Sequence, residues 1–170
     1  MASHGTYGRK TPPGAKVPRW YCRESHTTIS LLADCLAARL PGTLADLEAV
    51  VVAAEGARSL EAAANALRPD AIELPGAMRW VRRRVRLVHD ILARVIGLIP
   101  DRLAGCAATM VAVRERLGSG SALMALRGLV SAQLRTLPAP LGFQPHGIGV
   151  GGRNPAFQHS MGPDPPPVAA

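Results

Sequence analysis

Five arginines fall within eight positions in the segment RWVRRRVR, residues 79–86, and no acid interrupts them. A guanidinium carries a rigid fork of N–H donors that matches paired phosphate oxygens, so this composition points to polyanion binding rather than to bond making or breaking. Spacing sharpens the reading. At 100° per residue Arg79, Arg83 and Arg86 fall within about 60° of one another, with Arg82 alongside. Met78, Val81, Val85, Val88, Leu92 and Val95 lie round the other side, spaced 3, 4, 3, 4 and 3. A helix here shows one apolar face and one arginine face. No acid stands between Glu73 and Asp90, so the helix cannot neutralise its own basic face, whereas phosphates could. Arg9, Lys10, Lys16 and Arg19 form a second basic group near the start of the chain.

Two other residue sets bear on chemistry. Cys22 and His26 place a thiol and an imidazole with three residues between them, a spacing that presents two ligands to one zinc ion; a structural zinc needs four, and only His4 precedes them while Cys35 follows in an apolar context. Without a metal, Cys22 is a small buried residue and His26 a solvated one. For catalysis the supply is thin. Asp46, Glu48, Glu61 and Asp101 are placed as helix caps or solvated residues, and His89 and Asp90 lie on the basic helix with no Ser or Cys beside them. His89 is expected on the helix surface. No Gly-rich loop joins a strand to a helix, so the chain is expected not to be an enzyme.

The elements that must position these groups read as an all-α fold of about five helices. The first twenty-one residues mix Gly5, Gly8, Pro12, Pro13, Gly14 and Pro18 with cations, which suits a short irregular or β-ribbon arm. The stretch from Trp20 either pairs as a small hairpin or, from Leu32 to Leu40, forms a helical turn or two. Beyond Pro41 the pattern is helical: Thr43 and Asp46 make a capping box for a helix over 44–56, and Ser59 caps a short Ala-rich helix closed by Pro69. After a linker over 70–74, Pro75 opens the basic helix, which runs to about residue 99. Asp101 restarts the chain into a fourth helix reaching about residue 117. Gly118 and Gly120 break it, and Ser121 caps a fifth carrying Leu123, Leu126, Val130, Leu134 and Leu137 on one side. From Pro138 onward Pro and Gly are too dense and apolar residues too few to offset ordering entropy, so a disordered tail is expected. The divisions are a basic arm over 1–40, a helix-turn-helix-like unit over 41–99, two further helices over 100–137 and the tail over 138–170.

Composition agrees with this frame. Of 170 residues, 20 are Lys or Arg and 12 Asp or Glu, a formal charge of +8 that favours an acidic partner. With two Phe, two Tyr and two Trp, the core must be built from slender Ala, Leu and Val helices. No window approaches the run of roughly 18 apolar residues that spans a bilayer, and the opening residues lack the apolar stretch of a signal peptide, so a cytoplasmic protein is expected. Three cysteines at wide spacings argue against a disulfide framework.

Two short helices followed by a longer basic third is the order of a helix-turn-helix, in which the third helix enters the major groove, although the connection over 69–74 is longer than the standard tight turn. Beyond that order lies a resemblance. The stretch GTYGRKTPPGAKVPRWYCRESHTTISLLADCLAARL resembles the second half of the zinc ribbon that opens many bacterial insertion-sequence transposases, where a basic strand leads through Trp-x-Cys to a Ser-Leu-Leu run. SLEAAANALRP followed by LPGAMRWVRRRV resembles the helix-turn-helix that follows that ribbon. Together these cover residues 5–98. The likeness implies that Cys22 and His26 are a second ligand pair whose first pair lies upstream of Gly5, so zinc is expected only if a preceding segment supplies it, as a missed upstream start would. It also implies transposition as the process, without the carboxylate-bearing sheet that cuts DNA.

The expected function is therefore duplex DNA binding through Arg79, Arg82, Arg83 and Arg86, aided by Arg9, Lys10, Lys16 and Arg19, with no cofactor of its own. A homodimer through the fourth and fifth helices is expected if their Leu seams are exposed. Adsorption to an anionic membrane would need the same apolar seam that packs against other helices. The alternatives are a helical module whose basic face docks an acidic protein, and a mobile-element remnant without selected function.

Overall fold

Proline and glycine in the opening segment gather where the chain turns, and this leaves room for strands on either side. The computed structural model describes residues 1–67 and 74–144. In it Ala2–Gly8 (β1), Lys16–Cys22 (β2) and Thr27–Ser30 (β3) form a three-stranded antiparallel sheet in the order β1-β2-β3. Tyr7 pairs with Val17, Trp20 with Ile29, and Cys22 with Thr27. Pro12, Pro13 and Gly14 occupy the β1–β2 turn, and Gly5, at φ +83°, sits where the β1–β2 register shifts between Ser3 and Thr6. Pro18 pairs beside that irregularity, where the ladder is already interrupted. The all-α expectation is thus wrong. The chain is a mixed fold of helices and sheet, because Val, Thr, Tyr and Trp in the intervening runs outweigh the turn residues.

The helices follow. Leu44–Gly56 (α1) begins at a complete capping box, in which Asp46 N–H donates to Thr43 Oγ1 at 3.0 Å and Thr43 N–H donates to Asp46 Oδ2 at 2.9 Å. The same contacts, with the Thr43 backbone N–H foremost, hold the Asp46 carboxyl below its usual range. Leu60–Leu67 (α2) starts at Ser59, whose hydroxyl accepts from Ala62 N–H. Leu74–Leu98 (α3) has 25 residues and is about 37 Å long. The expected fourth helix is instead two pieces, Pro100–Leu103 (α4) and Met110–Leu117 (α5), because Gly105 turns at φ +71° and Thr109 caps a new start. Gly118 ends α5 in the left-handed conformation. Ala122–Leu129 (α6) then leads to a 3-10 turn at Ser131–Gln133, giving six helices among the described residues where five were expected.

One core joins these parts. Leu44, Leu47 and Val51 of α1 pack with Val88, Ile91, Leu92 and Val95 of α3, Met110 and Val113 of α5, and Leu123, Leu126 and Val130 of α6. A smaller cluster of Ala63, Ala64, Ala77 and Val81 seats α2 on α3, where small side chains let the helices approach. The Leu seam of the last helix is therefore internal to the chain. The start of the expected tail packs on the body: Ala139 and Leu141 are buried, and Pro140 O accepts from Ala38 N–H at 2.9 Å. The remainder of that tail, over 145–170, and the linker and Pro69 helix stop, within 68–73, lie outside the described residues. Among the described residues no helix is long and apolar enough to cross a membrane.

Two buried charged side chains hold the joints. Arg127 lies within the core and donates to four carbonyl oxygens, those of Asp34, Leu36, Pro140 and Leu141, at 2.6 to 3.1 Å. Desolvation lowers its pKa. Glu48, also buried, reaches from α1 to the start of α6, where Ala122 and Leu123 N–H groups donate to its carboxylate at 3.2 and 3.0 Å and Arg114 Nε stands at 3.4 Å. Ser121 makes no capping hydrogen bond, contrary to expectation, because the carboxylate already satisfies the donors a cap would take.

Candidate nucleic-acid interface

The arginine strip is built by the burial of the opposite side of α3. Ala77, Val81, Val88, Ile91, Leu92 and Val95 are buried, which fixes the rotation of the helix about its axis. Arg79, Arg82, Arg83 and Arg86 then project into solvent along one face. Ile91 joins the buried stripe and Val85 is only half-buried, so the stripe is rotated slightly from the one the spacing alone suggests. Among the described residues, the only ion pair of these four arginines is Arg86 with Asp90, at 3.8 Å between side chains 82% and 59% exposed. Such a pair is weak, and salt screens it.

The fifth arginine of the run behaves differently. Arg84 turns toward the body, stacks 3.8 Å from the centre of the Trp80 ring and donates to Trp80 O. Trp80 therefore packs the early turns of the helix. Its neighbours on the far side are Leu40, Pro41 and the Asp46 carboxylate, across a cleft that Arg84 also lines.

The acids that might have quenched the strip are committed elsewhere. Glu55, two turns beyond Glu48 on α1, accepts from Met110 and Val111 N–H at the start of α5, at 2.8 and 3.0 Å. His89 Nε2 donates to the same carboxylate at 2.7 Å. His89 is thus a half-buried clamp residue rather than the surface residue expected of it. Neither Glu55 nor this role of Glu48 was foreseen. The available signal was that both lie in the apolar stripe of α1 with Leu44, Leu47 and Val51, where a carboxylate must find donors.

The basic arm divides as well. Lys10 and Lys16 are exposed, whereas Arg9 donates to Ala37 O at 3.2 Å and to Leu40 O, binding the arm to the body. Arg19 is half-buried with its guanidinium 6.0 Å from the Tyr7 ring, and its Nε is buried without a partner among the described residues. Arg9 is therefore committed to backbone carbonyls and Arg19 is half-buried, unlike the exposed Lys10 and Lys16.

Cys22 ends β2 and His26 lies in the following turn at φ +50°. His26 Nδ1 is 2.9 Å from Tyr21 Oη, and the His4 ring lies 5.9 Å from that of Tyr21. Hydrogen bonding from Ser25 lowers the pKa of the Cys22 thiol. Among the described residues no group of three His, Cys, Asp or Glu side chains could hold a metal ion, so these donors do not form a metal cage by themselves. All three cysteines are free. Comparison of the chain with known protein families, with characterised proteins and with solved structures finds no match.

Proposed function

We propose that this chain is a DNA-binding protein, related to the front end of insertion-sequence transposases, that holds duplex through the arginine face of α3 and performs no cutting itself. One observation carries the reading. Arg79, Arg82 and Arg83 stand exposed on one face of a rigidly seated helix without an acidic partner among the described residues, while Glu48 and Glu55 are turned inward to cap other helices. Phosphate neutralisation supplies most of the affinity, and contacts to base edges from the early residues of α3 add weak specificity. Lys10 and Lys16 extend the contact along the backbone; Arg9 is withdrawn from that role by its carbonyl partners.

Fluorescence anisotropy with a labelled duplex tests this. The double variant Arg82→Ala, Arg83→Ala should bind about tenfold more weakly at low salt, with its fold retained because both side chains are exposed. Equal affinity of variant and parent for duplex would remove α3 from the interface. Loss of binding to an acidic protein partner, with duplex affinity untouched, would favour the interaction-module reading instead.

A further inference from the structure

A second cationic site, none of whose lining residues belongs to α3, lies between the sheet and the segment that follows α6. Tyr7 at the end of β1, Arg9, Ser30, Leu32, Arg39 and Phe143 border a cleft of about 440 Å³, within the range that small-molecule sites occupy. Tyr7 and Phe143 are each 43% exposed. Arg39 sits at the left-handed φ of +56°, an uncommon conformation for a residue with a side chain, and its Nε donates to Phe143 O at 3.2 Å. Arg19, the cross-strand partner of Ser30, adds a guanidinium 6.0 Å from the Tyr7 ring. No acid lines this cleft, whereas three others are lined in part by Asp46, Glu24 or Glu115.

Two exposed aromatic rings with flanking guanidinium groups and no carboxylate suit one ligand chemistry, a planar base carrying a phosphate. An acidic peptide would use the arginines but leave the rings idle, and a lipid surface would need a convex apolar patch. We propose that this cleft binds an unpaired nucleotide, with the base against Tyr7 and Phe143 and the phosphate toward Arg39 and Arg19. The site does not depend on the α3 strip. It gives the chain a preference for duplex bearing a frayed or single-stranded end, or for a free nucleotide, and the two sources separate experimentally.

The test uses the full chain with oligothymidine carrying 5-iodouracil, irradiated and mapped by mass spectrometry, and anisotropy of the same strand without iodine. Cross-links should fall on the peptides containing Tyr7 or Phe143. The double variant Tyr7→Ala, Phe143→Ala should weaken single-strand binding by about tenfold or more and leave blunt duplex binding unchanged, whereas Arg82→Ala, Arg83→Ala should do the reverse. Saturable binding of thymidine monophosphate that the aromatic variant loses would identify a free nucleotide as ligand. Binding of the strand alone would identify an unpaired segment of nucleic acid. Either result supports the site. Cross-links confined to α3, competition by polyglutamate as effective as by oligothymidine, or unchanged single-strand affinity in the aromatic variant would each overturn it. If the variant unfolds, the cross-link map on the parent chain decides.

Discussion

Gly142 shows how far a single residue constrains this chain. A Cβ built there would stand 2.1 Å from Leu137 O, a distance that backbone atoms cannot relieve by a rotamer change. Gly142→Ala should therefore destabilise the fold by about 1–3 kcal/mol, measured by urea unfolding, through displacement of the segment that covers α6. Asp46 makes a smaller, pH-dependent contribution. Its folded pKa is depressed, so the stability it adds is present above the unfolded value of about 3.9 and disappears as pH falls through the folded one. Parent and Asp46→Asn should differ in thermal midpoint at neutral pH, and the gap should close in acid. A gap that persists at the lowest pH would show that the carboxylate charge is not what stabilises α1. At this scale the sequence was legible where a residue acts on its own neighbours: Thr43 and Asp46 cap the helix they precede. It was illegible where a residue acts at a distance. Arg127 looks like any helix-surface cation until the carbonyls of residues 34, 36, 140 and 141 arrive round it.

The elements show the same division. The seam of α3 was readable from its 3 and 4 spacing, and so was the arginine face opposite it. The sheet was legible only as one alternative, a β-ribbon arm or small hairpin, because its strands are short and mostly exposed: with Val17 the one buried residue of β1–β3, alternation of apolar and polar residues hardly registers. The division of the expected fourth helix at Gly105 was equally hidden, since Leu103, Met110 and Val113 continue the apolar rhythm across the break. What joins the elements is α1, whose Glu48 and Glu55 cap α6 and α5 from the side. Glu48→Ala leaves two buried N–H groups and Arg114 without the carboxylate, and should cost about 3 kcal/mol or more. The loss should appear in equilibrium unfolding, and amide exchange should quicken first at Ala122 and Leu123. Uniform exchange along the chain would contradict the picture of a local clamp.

For the whole molecule the decisive property is the distribution of charge. A net +8 says little by itself, because the chain could pair its cations internally. Here three of the acids, Asp46, Glu48 and Glu55, accept from backbone N–H groups, and the exposed arginines of α3 are left with Asp90 as their one pairing acid among the described residues. A face so arranged attracts a polyanion from a distance, with a strength that falls as salt rises. That segregation was visible in the sequence only as a stretch without acids between Glu73 and Asp90; the inward turn of the remaining carboxylates depends on tertiary packing.

The most direct test is the slope of log affinity for duplex DNA against log salt concentration. Six phosphates neutralised by Arg79, Arg82, Arg83, Arg86, Lys10 and Lys16 correspond to a slope of about −5.4, and the Arg82→Ala, Arg83→Ala variant should flatten it to about −3.6. A slope near zero for the parent chain, or one that the variant leaves unaltered, would contradict a guanidinium face that meets the phosphate backbone.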